Sequence, residues 1–213
     1  MNKTWFTSDT HFKHRKVIKF CDRPFTGADC CVGIDPEISK NCKQCYGYGK
    51  VLEVEEMNEQ LIKNWNEVVS PKDDVYHLGD VMFTSKKSDV TNLFKRLNGH
   101  IHWIYGNHDK KFRNAAGATW SGDYKEIKID DQKFILCHYP MMSWNGQHRE
   151  SIMLHGHCHG NLKHDGTKLL IDVGVDCWDY KPVSFDEIMI EAEKIKNNNL
   201  IRFNQNIVTD DHH

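Results

Sequence analysis

No stretch of the sequence stays apolar for the roughly 20 residues that a bilayer-crossing helix needs. The opening MNKTWFTSDTHF also turns polar too early for a secretory signal. Both absences lead us to expect a cytoplasmic protein without a membrane partner. Positive charge is not in excess: 28 Lys and Arg stand against 30 Asp and Glu, a formal net charge of -2. A broad basic face for sequence-independent nucleic-acid binding is therefore not expected, although a local patch can still exist. Internal repeats are missing, and 39% hydrophobic with 27% charged residues excludes a disordered chain.

A length of 213 residues suits one large domain, or one domain with an insertion, and is enough to bury a two-sheet core. What is plentiful is metal-binding chemistry: 14 His and 8 Cys. His212 and His213 close a polar tail; the other histidines are mostly interior to the chain. In a reducing compartment the cysteines point to free thiols or metal ligands before disulfides.

The pattern of apolar residues predicts a strand at KTWFTSD and a helix over VEEMNEQLIKNWNEVV, with Met57, Leu61, Trp65 and Val68 on one face. DVYHLGD reads as a strand. SDVTNLFKRLNG reads as a helix with a Ser/Asp cap and a left-handed Gly99 at its end, and HIHWIYG as another strand. In the second half, YKEIKIDDQKFILCHYP predicts two strands joined by a tight Asp-Asp turn. SIMLHGHCHG and TKLLIDVGV predict two more, and SFDEIMIEAEKIK a helix opened by a Ser184-x-x-Glu187 capping box. Alternating strands and helices followed by a strand-rich half indicate two mixed sheets with helices outside. Trp5, Trp65, Trp103, Trp120 and Trp178 are expected in the core.

Five strand ends run directly into metal-ligand side chains: SDTH (Asp9, His11), HLGD (Asp80), YGNHD (Asn107, His108, Asp109), LCHYP (His138) and LHGHCHG (His157, His159). Strand ends of a layered α/β protein gather at one rim, so all five can converge. Asp, His and Asn without thiolates suit Mn, Fe, Zn or a similar ion in an open site rather than a closed structural zinc. Asp9-x-His11 and His157-x-His159 would each place two donors on the same side of an extended segment. Gly79, Gly106 and Gly156 would let backbone pass close to the cluster.

With these five blocks in this order, the chain resembles the calcineurin-like metallophosphoesterase family, whose signature runs D-x-H, G-D, G-N-H-D/E, H and G-H-x-H. FCDRPF, MNEQLIKNWN and VGVDCWDYKPVSFDEI further resemble its small single-domain members from bacteria and their phages. The resemblance implies a four-layer α/β/β/α sandwich of two mixed sheets flanked by helices, one domain over residues 1-213 with a Cys-rich insertion at 26-53. It implies two divalent ions, Mn first and Fe, Zn, Ni, Co or Mg as alternatives. Asp9, His11, Asp80 and His159 would hold one, and Asp80, Asn107, His138 and His157 the other, with Asp80 bridging. His108 would stand outside the metal shell as the catalytic group, with Asp109 as its orienting partner.

Two divalent ions about 3.5 to 4 Å apart can share a hydroxide, make it nucleophilic near neutral pH and clamp phosphoryl oxygens. Set against Asp9, Asp80 and that hydroxide, they leave one positive charge, which a diester monoanion neutralises. A monoester dianion would call on a further cation such as Arg15, Lys110, Lys111, Arg113 or Arg149. The chain departs from the family's protein phosphatases, which write G-D-x-x-D-R-G and G-N-H-E where this one has GDVMF and GNHD. That disfavours phosphoprotein substrates.

The insertion carries Cys30, Cys31, Cys42 and Cys45, and CKQCYGYG resembles a zinc half-site of J-domain co-chaperones. A structural zinc would take two further ligands from Cys21, Cys30 or Cys31, although adjacent cysteines fit one tetrahedral ion awkwardly; free thiols or a disulfide are the alternatives. Substrate-contact candidates are His14 and Arg15 after the first block, and Trp144, His148 and Arg149 after His138. The reading is a phosphodiesterase acting on a small phosphoester such as a nucleotide or a cyclic phosphate. A nuclease on DNA or RNA ends, a phosphomonoesterase or nucleotide pyrophosphatase, and a non-catalytic protein-binding scaffold are the rivals. Nucleic acid is less favoured at this net charge, and the intact His108 argues against the scaffold.

Overall fold

The computed structural model describes residues 2-163 and 165-210; His212 and His213 lie outside them. The first half runs β1 (Thr4–Thr7), α1 (Arg15–Phe20), β2 (Thr26–Asp29), α2 (Pro36–Lys40), β3 (Lys50–Leu52), α3 (Val54–Val68), β4 (Asp74–His77), α4 (Lys87–Phe94) and β5 (His100–Ile104). The second runs β6 (Trp120–Gly122), β7 (Tyr124–Ile129), β8 (Gln132–Cys137), β9 (Ile152–His155), β10 (Leu170–Asp172), β11 (Val183–Ser184) and α5 (Phe185–Asp210).

One sheet has the order β11-β1-β4-β5-β6, with β11 antiparallel to its neighbour and the rest parallel. A second has the order β10-β9-β8-β7, with only the β7–β8 hairpin antiparallel, and β2 and β3 form a separate antiparallel pair. Both sheets are mixed and helices flank them, the expected sandwich. Side-chain alternation sorts the apolar residues by face. Trp5, Val75, Ile101 and Trp103 pack beneath α3 and α4, where Met57, Leu61, Trp65, Leu93 and Phe94 are buried. Phe6, Leu78 and Ile104 meet Phe134, Leu136, Ile152 and Leu154 between the sheets, and Ile188 and Ala192 of α5 close that layer at its side. Each such side chain contributes about 1.5 to 3 kcal/mol on burial. Trp120 and Trp178 are half-buried against the same layer.

Thr7 lies beside His77 and His77 beside Trp103, so β1, β4 and β5 end level with one another. A backbone bridge from Ser8 to Gly174 and a bond from Gly156 N–H to the His138 carbonyl join the ends of both sheets at the same rim. Local chemistry behaves as expected in two turns. Asp130 and Asp131 both adopt positive φ, 45° and 69°, as a two-residue hairpin turn demands. Ser184 and Glu187 close the capping box reciprocally. The expected Ser/Asp cap of α4 is not made: the helix begins at Lys87, and Asp89 instead accepts from Thr84 and pairs with Lys13. Gly99 is left-handed, φ 95°, but lies beyond the helix end in the turn before β5.

Among the described residues, no helix is long and apolar enough to cross a membrane.

Candidate metal centre

Backbone interlocking places the donors before any side chain is considered. Asp9 N–H donates to the Gly79 carbonyl and His11 N–H to the Asp80 carbonyl, which sets the first two loops edge to edge. Asp9, His11, Asp80, His157 and His159 all have φ between 48° and 68°, a left-handed conformation uncommon for residues with a side chain and concentrated at functional sites. The pairs Asp9-x-His11 and His157-x-His159 are therefore not extended, as alternation alone predicts. They lie just past the ends of β1 and β9 in tight turns, because only such turns aim neighbouring donors inward. Two glycines permit the crossing. A Cβ on Gly106 would sit 2.5 Å from Asp80 N, and one on Gly156 would sit 2.2 Å from Asp9 Oδ2.

Asp9, Asp80 and His138 form one fully buried cluster, and Asp9, His11 and His159 a second that shares Asp9. Asp80 Oδ2 lies 3.6 Å from His11 Nε2 and 3.6 Å from His138 Nε2. Asp80 Oδ1 is engaged elsewhere, accepting the His108 N–H at 2.9 Å. Asn107 Oδ1 is 3.0 Å from His138 Nε2. His138 Nδ1 donates to the Leu78 carbonyl at 2.7 Å, which selects the tautomer that turns Nε2 toward the cluster. His157 stands at the outer edge, its ring 5.2 Å from that of His138, while its N–H donates to Asp9 Oδ2.

The electrostatics fit a cation. Asp9 Oδ1 is buried with no hydrogen-bond partner among the described residues. Burial pushes the Asp9 carboxyl up to about 7, with the charge of Asp80 adding to the effect. Burial also holds His11 well below the ordinary imidazole range, keeping its lone pair available. A buried Asp9 carboxyl with a bare oxygen, facing the unprotonated imidazole of His11, is relieved by a divalent ion.

Sequence patterns missed the supports of this cluster. His159 Nδ1 lies 2.6 Å from Asp176 Oδ2 and 3.3 Å from Cys21 Sγ. Burial works against a charged His159, but the bonds to Asp176 and Cys21 raise it to about 10. Burial likewise opposes the Asp176 carboxylate, yet His159 and the Arg23 guanidinium hold it below its usual range. Arg23, 1% exposed, also donates to the carbonyls of Asp9 and Thr10. The only signal in the sequence was the pair of phrases FCDRPF and VGVDCWDY, whose residues meet here. An Asp176→Asn substitution should weaken metal binding about 10- to 100-fold. Titration of the metal-free protein with Mn(II) reads this out, and unchanged affinity would deny Asp176 its positioning role.

Several expected contacts are absent. Asp109 does not orient His108. It is 0% exposed and accepts from the N–H groups of Asp80, Val81 and Gly106 and from Trp103 Nε1, bracing the Asp80 loop from beneath. Arg15 turns away to the Leu52 carbonyl and Glu55. Trp144 is packed with Ile135, Met153 and Leu170 against the second sheet, where Met141 and Leu162 also lie, its indole donating to the Ser151 carbonyl. His148 lines a separate cavity with Lys168 and Lys196, and Arg149 closes the same short turn. His14 does lie at the rim, stacked on Phe83 at 4.5 Å; burial and the neighbouring His108 lower its imidazole to about 4. His108 itself is open to solvent on one side, Nε2 3.9 Å from Asp80 Oδ2. Beside it opens a cleft of about 570 Å³ lined by Phe83, Thr84, Ser85, Asn107, His108, Lys110 and Lys111.

Comparison with known proteins is consistent with this picture. The model of the calcineurin-like phosphoesterase superfamily domain matches residues 57–185. The uncharacterized protein MJ1445 of Methanocaldococcus jannaschii is 35% identical over 202 residues, covering 92% of this chain and 94% of its own. The gene 66 protein of Mycobacterium phage L5 is 26% identical, with 88% and 93% covered. A protein of unknown function from Aquifex aeolicus, AQ665, has a crystal structure that superposes with a TM-score of 0.60 at 24% identity, covering 88% of this chain and 98% of that one.

Proposed function

Because the chain belongs to the calcineurin-like phosphoesterase superfamily, we propose that it hydrolyses phosphodiester bonds in nucleotide-type substrates with the help of two divalent metal ions. One observation carries the reading: Asp80 Oδ2 faces both His11 Nε2 and His138 Nε2 at 3.6 Å, a position from which it could serve two ions. Asp9, His11, Asp80 and His159 would hold one ion, and Asp80, Asn107, His138 and His157 the other. Mixed oxygen and imidazole donors without thiolates suit manganese. When bound, such a pair acidifies water to a nucleophile near neutral pH and neutralises phosphoryl charge.

The chain's own groups supply the rest. His108 faces the cleft and protonates the departing oxygen. Phe83, 53% exposed on the cleft wall, offers a ring on which a base can stack. Lys110 and Lys111 meet any further phosphate. These two lysines favour a second reading, a phosphomonoesterase, since a dianionic substrate needs the additional cations.

A panel run with Mn(II)-loaded protein separates the two. Bis(p-nitrophenyl) phosphate, p-nitrophenyl phosphate, a 2′,3′-cyclic nucleotide, a dinucleoside polyphosphate and single-stranded DNA are the substrates. The diester reading expects kcat/KM for diesters to exceed that for the monoester by about tenfold or more, the equivalent of about 1.4 kcal/mol in transition-state binding. The reverse order would install the monoesterase, and no turnover by metal-loaded protein would remove the enzymatic reading.

A further inference from the structure

The insertion between β2 and β3 contains a thiol cluster that the metal centre at the sheet rim does not use. All four sulfur atoms of Cys30, Cys31, Cys42 and Cys45 lie within 4.8 Å of one another. Cys30 Sγ is 3.7 Å from Cys31 Sγ and 3.7 Å from Cys42 Sγ. A tetrahedral zinc with Zn–S bonds of about 2.3 Å has S···S edges of about 3.8 Å, whereas a disulfide brings its sulfurs to about 2.05 Å. The observed spacing is that of ligands around an ion.

Adjacency of Cys30 and Cys31 is no obstacle. Cys31 adopts φ 57°, which folds successive thiols toward one point. Cys21, the other candidate, is committed to His159. Around the second pair, backbone N–H groups of Gln44 and Cys45 point at Cys42, and those of Gly47 and Gly49 at Cys45. Such donors disperse the charge of bound thiolates. Cys45 is fully buried, yet the insertion has little core of its own, with Val32, Ile34 and Ile38 exposed at 72%, 48% and 66%. A segment of this composition needs a cross-link to hold a shape.

We infer that Cys30, Cys31, Cys42 and Cys45 bind one structural zinc ion, separate from the phosphoesterase metals, which fixes the insertion against α1. The consequence reaches the rim through α1. Lys19 Nζ donates to the Tyr46 carbonyl at 2.8 Å, Arg15 to that of Leu52, and Tyr48 to Asp22. Helix α1 lies between the His11 loop and the Cys21–Arg23 segment that supports His159. With no open coordination position, the ion has a holding role and no chemical one.

Metal analysis of the full chain, purified under reducing conditions and washed with a mild chelator, tests this. Wild type should retain one equivalent of zinc after the exchangeable ions are removed, Cys42→Ser should lose it, and Asp80→Ala should keep it. Should the Cys42→Ser protein fail to fold, cobalt(II) replacement in wild type provides the second measurement. Intense thiolate-to-cobalt charge-transfer absorption with tetrahedral d–d bands is expected. Absence of those bands, a chelator-resistant zinc that survives Cys42→Ser, or no retained zinc in wild type would overturn the assignment. Because the retained equivalent is counted apart from turnover, a failed zinc site and a failed phosphoesterase reading remain distinguishable.

Discussion

Asp80→Ala should abolish paired metal binding and lower turnover on the order of 10³-fold or more, exceeding the roughly 10²- to 10³-fold cost of losing a single electrostatic donor. The reason is positional. Asp80 Oδ2 is equidistant from His11 and His138, so on the proposed assignment its removal would withdraw a ligand from both halves of the site at once. Loss of His138 would take one donor from one half and leave the four proposed for the other in place. Metal titration of the stripped protein, followed by assay of the Mn(II)-loaded variant, measures both effects. Folding should survive, because the charge of Asp80 makes the buried Asp9 carboxylate costlier in the metal-free protein, and the substitution removes it. Asp80→Asn serves as the control that keeps an oxygen for the His108 N–H while discarding the charge. A variant that still binds two ions with near wild-type turnover would sink the shared-ligand assignment.

His108→Ala should leave metal affinity intact and reduce kcat by about 10²- to 10⁴-fold on substrates with a poor leaving group. His108 belongs to the cleft and not to the buried clusters: its ring packs 5.4 Å from that of His11 and 6.0 Å from that of Phe83. The size of the loss should depend on the departing alcohol. A p-nitrophenolate leaves without protonation, so its hydrolysis should suffer much less than that of a nucleoside ester if His108 is a proton donor. Equal losses on both would instead assign His108 to stabilising phosphoryl charge, and no loss on either would exclude it from the chemistry.

Much of this site was legible in primary structure because its donors sit where regular structure stops. Apolar periodicity located β1, β4, β5, β8 and β9, and the residue types immediately after them marked Asp9, His11, Asp80, Asn107, His138 and His159. Asp109 shows the limit of that reasoning. A carboxylate next to a catalytic candidate invites a catalytic role, yet three backbone N–H groups of neighbouring loops and an indole claim it, and those partners include residues up to 29 positions away. Trp144 is similar: its place is set by packing with Ile135, Met153 and Leu170, which no local pattern reports.

Sequence by itself determined the kinds of the longer elements, the donor inventory and the near balance of charge, since propensity, periodicity and composition are properties of short stretches or of the whole chain. Tertiary structure alone decided the left-handed turns that aim the donors and the Asp176–Arg23 brace behind His159. Each of these depends on backbone bonds or packing between segments far apart in the chain. Such contacts form only when the two sheets close on one another, and their free energy is written in no single segment.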